Sequence, residues 1–220
     1  MQLIASSKIK IMEKEIEKLT QRYPELKVCE NDINKAFNLL VDCFKNGNKL
    51  LIAGNGGSCA DAEHIAGELM KGFKEKRPVD QAFAKKLEQL NAKDIAERLQ
   101  QGLPTIALHN HNSLNTAFIN DVDNGGLYFF AQQLYVYGNQ GDVLLAISTS
   151  GNAKNIFNAA LVAKAKGMKI IGLTGQEGGL IQEVADVTIK APSKETYVIQ
   201  EYHLPIYHCL CLMLENKFFK

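Results

Sequence analysis

The stretch KLLIAGNGGSCADAEHIAGELMKGF, residues 49–73, decides the fold. Leu51, Ile52 and Ala53 form a short apolar run suited to a buried parallel strand. Gly54, Gly56 and Gly57 allow a tight turn and a close approach of backbone to ligand. Ser58 stands where it can cap the helix that follows. The free N–H groups and the positive end of that helix make an anion site. His64 and Glu68, at i,i+4, share one helix face and can reach a common atom. Each feature alone has a plainer meaning, since a glycine-rich turn is common and a His–Glu pair at this spacing is usually a surface ion pair. Together they ask for partners elsewhere in the chain.

Outward from this stretch, short apolar strands alternate with helical segments. Pro104 to Leu108 reads as a second strand, and the polar loop His109–Ser113 and a helix to Asn120 follow. The two histidines at i,i+2 lack a nearby carboxylate in sequence to complete a metal set. Asp121 opens a turn-rich segment, and Leu127 to Tyr137 reads as a helix. Val143 to Ile147 is an all-apolar third strand, followed by Ser148-Thr149-Ser150-Gly151-Asn152 and a helix from Ala153 to Lys166. Met168 to Leu173 and Val187 to Ile189 are the fourth and fifth strands. The last helix covers about Thr196 to Phe218 and carries Gln200, Glu201, His203 and His208, with Pro205 among them. Alternation of this kind gives a parallel sheet with helices on both faces. Ligands in such folds bind at the carboxyl ends of the strands, where both Gly54–Ser58 and Ser148–Asn152 fall. Three hydroxyls opening toward a helix can hold a phosphate without a lysine. There is no Gly-x-Gly-x-x-Gly and no Gly-Lys-Ser/Thr, which argues against a nucleotide cofactor.

Two amphipathic helices precede the first strand. Ile9, Met12, Ile16, Leu19 and Tyr23 mark one over residues 5–23; Ile33, Phe37, Leu40 and Phe44 mark the other, from about Asn31 to Lys45. Their stripes suggest packing against another copy of the chain. Residues 74–102, rich in Lys, Glu, Gln and Ala, read as a helical insertion. Pro78 precedes a first short helix with Leu87 and Leu90 on its face, and a second covers about Lys93 to Gln101.

The bulk numbers are those of an ordinary globular protein of 220 residues: 46% hydrophobic, 22% charged, formal net charge +1. That charge gives no support for a nucleic-acid or membrane-surface partner. No apolar run approaches the roughly 20 residues of a membrane span, and the N-terminal residues lack a signal-peptide layout. Cys29, Cys43, Cys59, Cys209 and Cys211 are an odd set without disulfide or zinc-ribbon spacing. They read as free thiols of a cytoplasmic protein.

His64, Glu68, Gln200 and His208 together could form an acid/base site or a four-ligand metal site. At this point the residues resemble a known family. Ala53-Gly-Asn-Gly-Gly-Ser58 with His64-x-x-x-Glu68, Ile147-Ser-Thr-Ser-Gly-Asn152, Leu173-Thr-Gly175 and Ile199-Gln-Glu201 with His208 resemble the sugar isomerase (SIS) domain family, in particular its phosphoheptose isomerase branch. The resemblance covers nearly the whole chain as a single SIS domain, residues 1–220. It implies a flavodoxin-like, five-stranded parallel sheet between helices, with the helices of residues 1–47 packing subunits into a homotetramer whose active sites lie where subunits meet. It implies that Ser148, Thr149 and Ser150 hold a sugar phosphate and that Glu68 and His208 are the acid/base pair. The substrate set also takes in Asn55, Gly56, Gly57, Ser58, Asn120, Asp121, Asn152 and Gln200. Zinc, where family members bind it, would be held by His64, Glu68, Gln200 and His208. The implied activity is aldose–ketose isomerisation of a phosphorylated sugar, with sedoheptulose 7-phosphate first. The alternative within the same fold is a non-enzymatic sugar-phosphate sensor or an adaptor such as a replication-initiator-associating protein. A binding protein needs the phosphate loop but not Glu68 with His208. The chain departs from the branch pattern in having Ala153 for a serine, Gly72 for an arginine and Tyr197 for an aspartate, and its insertion is longer.

Overall fold

A computed structural model describes residues 14–220. The described part of the first helix, α1, covers residues 14–22; the expected helix over residues 5–13, with Ile9 and Met12, lies outside the described residues. A 3₁₀ turn at Pro24–Cys29 leads into α2, Glu30–Lys45. Then come β1 (Leu50–Gly54), α3 (Gly57–Met70), α4 (Gln81–Gln89), α5 (Lys93–Ala96), β2 (Thr105–Ala107), α6 (Asn112–Asp121), α7 (Phe129–Tyr137), β3 (Val143–Ile147) and α8 (Lys154–Ala165). The chain finishes with β4 (Lys169–Gly175), α9 (Ile181–Val184), β5 (Val187–Ala191) and α10 (Thr196–Phe219).

The five strands are all parallel, in the order β2-β1-β3-β4-β5. Because strand side chains alternate between faces, β1 feeds two cores. Leu50 and Ile52 pack with Leu145, Ile171, Ile189 and the apolar sides of α2 and α10. Leu51 and Ala53 pack on the opposite face with Leu144, Ile170, Phe130, Leu134 and the alanines of α8. The chain reverses direction of winding between β1 and β3, so the loops leaving these neighbouring strands open a crevice at their carboxyl ends. Gly54 and Ile147 pair at that end. Asp142 ties the other end: its carboxylate accepts from the Lys49 and Asn139 N–H groups at 3.0 and 2.8 Å, from the Asn48 amide at 3.2 Å and from Lys49 Nζ at 2.6 Å. Burial alone would raise the Asp142 pKa, but these donors hold it below the ordinary value.

α10 runs unbroken through Pro205, which is buried. Near its end Glu215, also buried, accepts from the Phe73 N–H at 2.9 Å, from the Lys74 N–H at 3.1 Å, and from Arg77 Nε and Nη2 at 3.0 and 2.8 Å. Phe219 covers the Arg77 guanidinium, 4.3 Å from ring centroid to Cζ. Burial opposes ionisation of Glu215, yet these donors overcome it and its pKa falls. The turn after α3 is thereby stitched to the last helix.

Three expectations are corrected. Ser58 is not the cap of α3; the helix begins at Gly57 with Gly56 in the cap position, and Ser58 is buried inside the first turn. In the insertion, Asp80 caps α4 by accepting from the Phe83 N–H at 2.8 Å, but the second helix is only Lys93–Ala96. Gln100 pairs instead with Pro78 in an isolated antiparallel bridge, which pulls the chain out of helix. The helix expected from Leu127 starts at Phe129, after a 3₁₀ turn at Gly125–Leu127. All five cysteines are free, four of them buried.

Removing one partner of a buried ion pair leaves the other uncompensated. Glu215→Gln is expected to cost about 3–5 kcal/mol of unfolding free energy, read by urea titration. A loss below 1 kcal/mol would show that the pair is not what fastens the turn.

Candidate active site at the crevice between β1 and β3

The loop after β1 and the loop after β3 sit side by side. Asn55 and Asn155 join them through two reciprocal amide bonds, each 2.9 Å. Asn155 was not singled out by sequence, because an asparagine in the first turn of a helix carries no distinguishing pattern. Ser148 is buried, Thr149 half-buried and Ser150 exposed. The Ser150 Oγ accepts from the Asn152 N–H at 3.1 Å, and Asn152 Oδ1 accepts from the Leu180 N–H at 3.0 Å. Gly151, at φ +68°, lies so close to Gly178 that any side chain would meet its carbonyl at 2.0 Å. The hydroxyl loop is therefore pinned against the turn after β4. It precedes α8, whose cap position is Ala153.

Gly57, at the start of α3, is overlaid by Gln200 of α10. A Cβ there would lie 2.8 Å from Gln200 Nε2. Farther along the same two helices, His208 Nε2 is 3.3 Å from His64 Nε2, and His64 Nε2 is 3.3 Å from Glu68 Oε1. Lys71 Nζ lies 3.6 Å from the other Glu68 oxygen. Tyr207 reaches the opposite side of the His64 ring: its hydroxyl is 3.1 Å from His64 Nδ1 and 3.1 Å from Asp61 Oδ1. Burial, followed by the nearby His64 and Arg22, pushes the His208 pKa down, and Glu68 opposes the shift. Burial raises the Asp61 pKa against the Tyr207 hydrogen bond.

His64, Glu68 and His208 thus meet at one place. Gln200 lies with the glycine loop, about two helical turns, or ~12 Å of helix rise, from His208 along α10. Asn120 and Asp121 are exposed at the end of α6, with the Asn120 amide on the Asp121 carboxylate at 2.9 Å. His203, on the same helix as His208, is fully buried and bonds Thr174 O at 3.2 Å; it belongs to the core. His109 Nε2 is 2.9 Å from Glu63 Oε1, a carboxylate the fold supplies from α3. Both His109 ring nitrogens are nonetheless buried without an aligned hydrogen bond, so the contact is a close approach only.

Among the described residues, no group of three or more His, Cys, Asp or Glu side chains forms a complete metal set. Two edges of one are present. Donors held 2.0–2.1 Å from a tetrahedral zinc stand about 3.3–3.4 Å apart, and His64–Glu68 and His64–His208 both have that spacing. The donor types, two imidazoles and a carboxylate, suit zinc. The remaining edge, between Glu68 and His208, is not a direct contact, and this is where the set is incomplete.

Gly72 accounts for one departure from the branch pattern. Its N–H donates to Gln100 Oε1 at 3.0 Å, and a Cβ would strike the Glu75 carbonyl at 2.1 Å, so no side chain fits the turn. Tyr197 is exposed in the first turn of α10.

Comparison with known proteins shows the family. The SIS domain family matches residues 14–111 and 89–175. The phosphoheptose isomerase of Aneurinibacillus thermoaerophilus is 41% identical over 180 residues, 82% of this chain and 78% of that protein. That of Aliarcobacter butzleri is 38% identical over 192 residues, 87% and 88% of the two chains. Among solved structures, a phosphoheptose isomerase from Neisseria gonorrhoeae superposes with a TM-score of 0.67 at 30% identity, covering 96% of this chain and 97% of the other. One from Francisella tularensis gives 0.68 at 30% identity, covering 96% of each. Fold and family match together define an SIS domain. Within that class the chain belongs to the phosphoheptose isomerases, and it is an enzyme of the aldose–ketose isomerase type.

Burial of the neutral His203 ring holds its pKa down to about 4, against an ordinary 6.5. As pH falls through that window the unfolded chain takes up the proton first, so stability is full above about 6.5 and is lost toward 4. His203→Gln keeps a donor for Thr174 O without titrating. Its unfolding free energy is expected to depend less on pH than the wild type's, by up to about 3 kcal/mol between pH 7 and 4. Parallel curves would contradict the assignment.

Proposed function

We propose that the chain interconverts sedoheptulose 7-phosphate and D-glycero-D-manno-heptose 7-phosphate. The observation that carries this reading is the meeting of His64 and Glu68 with His208, on two helices whose other ends reach the phosphate-type loops. The Ser148–Asn152 loop, with the α3 N-terminus at Gly56–Ser58, would hold the phosphate through hydroxyls, N–H groups and the helix dipole. Asn55, Gln200, Asn120 and Asp121 belong to the sugar-binding set in this reading. The anchored phosphate fixes the far end of the sugar and so contributes positioning energy at the reacting carbons.

Ketose-to-aldose conversion moves one proton from C1 to C2 and another from the C1 oxygen to the C2 oxygen. Glu68 takes the carbon-bound proton at C1, exchanges it with water on its carboxyl group, and delivers a proton at C2. His208 serves the two oxygens, and its lowered pKa suits it, since a neutral imidazole can accept before it donates. A zinc ion held by His64, Glu68 and His208, with Gln200 as a further ligand, would supply Lewis-acid stabilisation of the negative charge that develops between those oxygens. Because Gln200 and His208 lie about two turns apart on one continuous helix, a common ion would draw Gln200 from a neighbouring subunit. This favours a homotetramer with shared sites. We place the enzyme in the cytoplasm; no helix among the described residues is long and apolar enough to cross a membrane.

The exposed Tyr197 and the side-chain-free turn at Gly72 leave the sugar end less heavily charged than the branch pattern provides. An adaptor or sensor would have no use for the His64–Glu68–His208 meeting, and the named relatives are enzymes. Glu68→Gln preserves shape and removes the base. Turnover of sedoheptulose 7-phosphate should fall by roughly 10²–10⁴-fold, while inorganic phosphate binding by calorimetry stays as in the wild type. Wild-type turnover in this variant would remove Glu68 from the mechanism.

A further inference from the structure

His64 presents Nε2 to both Glu68 and His208, and its usefulness there depends on which ring nitrogen carries the proton. Two side chains on the far side of the ring settle that. Asp61, one turn before His64 on α3, does not touch the imidazole itself. Tyr207 stands between them, its hydroxyl 3.1 Å from Asp61 Oδ1 and 3.1 Å from His64 Nδ1. A carboxylate only accepts, and a phenol has one hydrogen to give. The Tyr207 hydrogen therefore goes to Asp61, and the phenol oxygen is left to accept from His64 Nδ1–H. The Tyr207 ring also packs edge-on against His64 and His208, with centroids 5.5 and 5.0 Å away at 73° and 86°. The hydroxyl is thus held by packing on a rigid helix.

We propose that Tyr207 and Asp61 are positioning residues that lock His64 in its Nδ1–H tautomer, so that the Nε2 lone pair faces Glu68 Oε1 and His208 Nε2. This inference rests on the isomerase reading of the site. Its consequence is chemical. A bare lone pair 3.3 Å from a carboxylate oxygen repels it unless a proton, a substrate hydroxyl or a cation lies between them. The relay thereby turns the meeting point into a place that attracts positive or hydrogen-donating groups. The signal for this device in the sequence is slight: Tyr207 sits in an apolar helix, and no spacing marks Asp61 as its partner.

The test is direct. Metal-stripped protein labelled with ¹⁵N-histidine is read by long-range ¹H–¹⁵N correlation at pH 7.5. The wild type should show His64 with Nδ1 protonated and Nε2 bare. Tyr207→Phe keeps the ring packing and should shift His64 toward the Nε2–H form, lowering kcat for sedoheptulose 7-phosphate and Zn²⁺ affinity by about 10–100-fold with KM little changed. Asp61→Ala frees the phenol hydrogen to donate to Nδ1, so it should favour the Nε2–H form more strongly still. Wild-type His64 found as Nε2–H would overturn the proposal without any variant, as would Tyr207→Phe retaining the Nδ1–H form. Failure of the wild type to isomerise heptose phosphates would count against the isomerase reading alone, because the tautomer spectrum needs no substrate.

Discussion

α10 lies along α3 in the same direction, and contacts rise in step along the two helices. Gln200 covers Gly57, Tyr207 meets Asp61 and His64, His208 meets His64, and Glu215 fastens the turn at Phe73. This single packing arrangement places the chemistry. It lays the end of the Gln200 side chain over Gly57, where a Cβ would push that amide aside. It requires the buried Arg77–Glu215 pair at the other end, which fixes where α3 stops. Between these two ends Tyr207 and His208 of α10 face Asp61 and His64 of α3, while Glu63 turns to His109 and His203 to the core.

The sheet supplies the other half of the site. Strand order brings the exits of β1 and β3 together, and the Asn55–Asn155 amide pair closes the gap between the two loops. The Ser148–Asn152 loop and the His64–Glu68–His208 group therefore stand on different supports. The loop is held by β3 and the turn after β4, the acid/base groups by α3 and α10. A substitution at one support is expected to leave the other in place, which is why binding and turnover can be separated experimentally.

The sequence made much of this legible for identifiable reasons. Short continuous apolar runs such as Leu50–Ala53 and Val143–Ile147, bounded by turn residues, suit strands buried on both faces, and their alternation with helices points to a parallel sheet. The His64–Glu68 spacing is a helix-face statement independent of tertiary structure. Other features depended on packing that no local pattern records. Ser58 looked like a cap but is drawn into the first turn. The second insertion helix ends early because Gln101 bonds back to the Arg77 and Pro78 carbonyls. Of the four polar positions on α10, burial separates His203, which serves the core, from His208, which faces His64. Tyr207 and Asp61 acquire meaning only once α10 is laid on α3.

The central claim is that this crevice moves a proton between adjacent carbons of a phosphorylated ketose. The most direct measurement is to incubate the purified protein with sedoheptulose 7-phosphate in D₂O and follow the sugar by NMR. The account predicts that the aldose appears with solvent deuterium at C2. Recovery of the ketose unchanged and undeuterated, with no aldose formed, would contradict it.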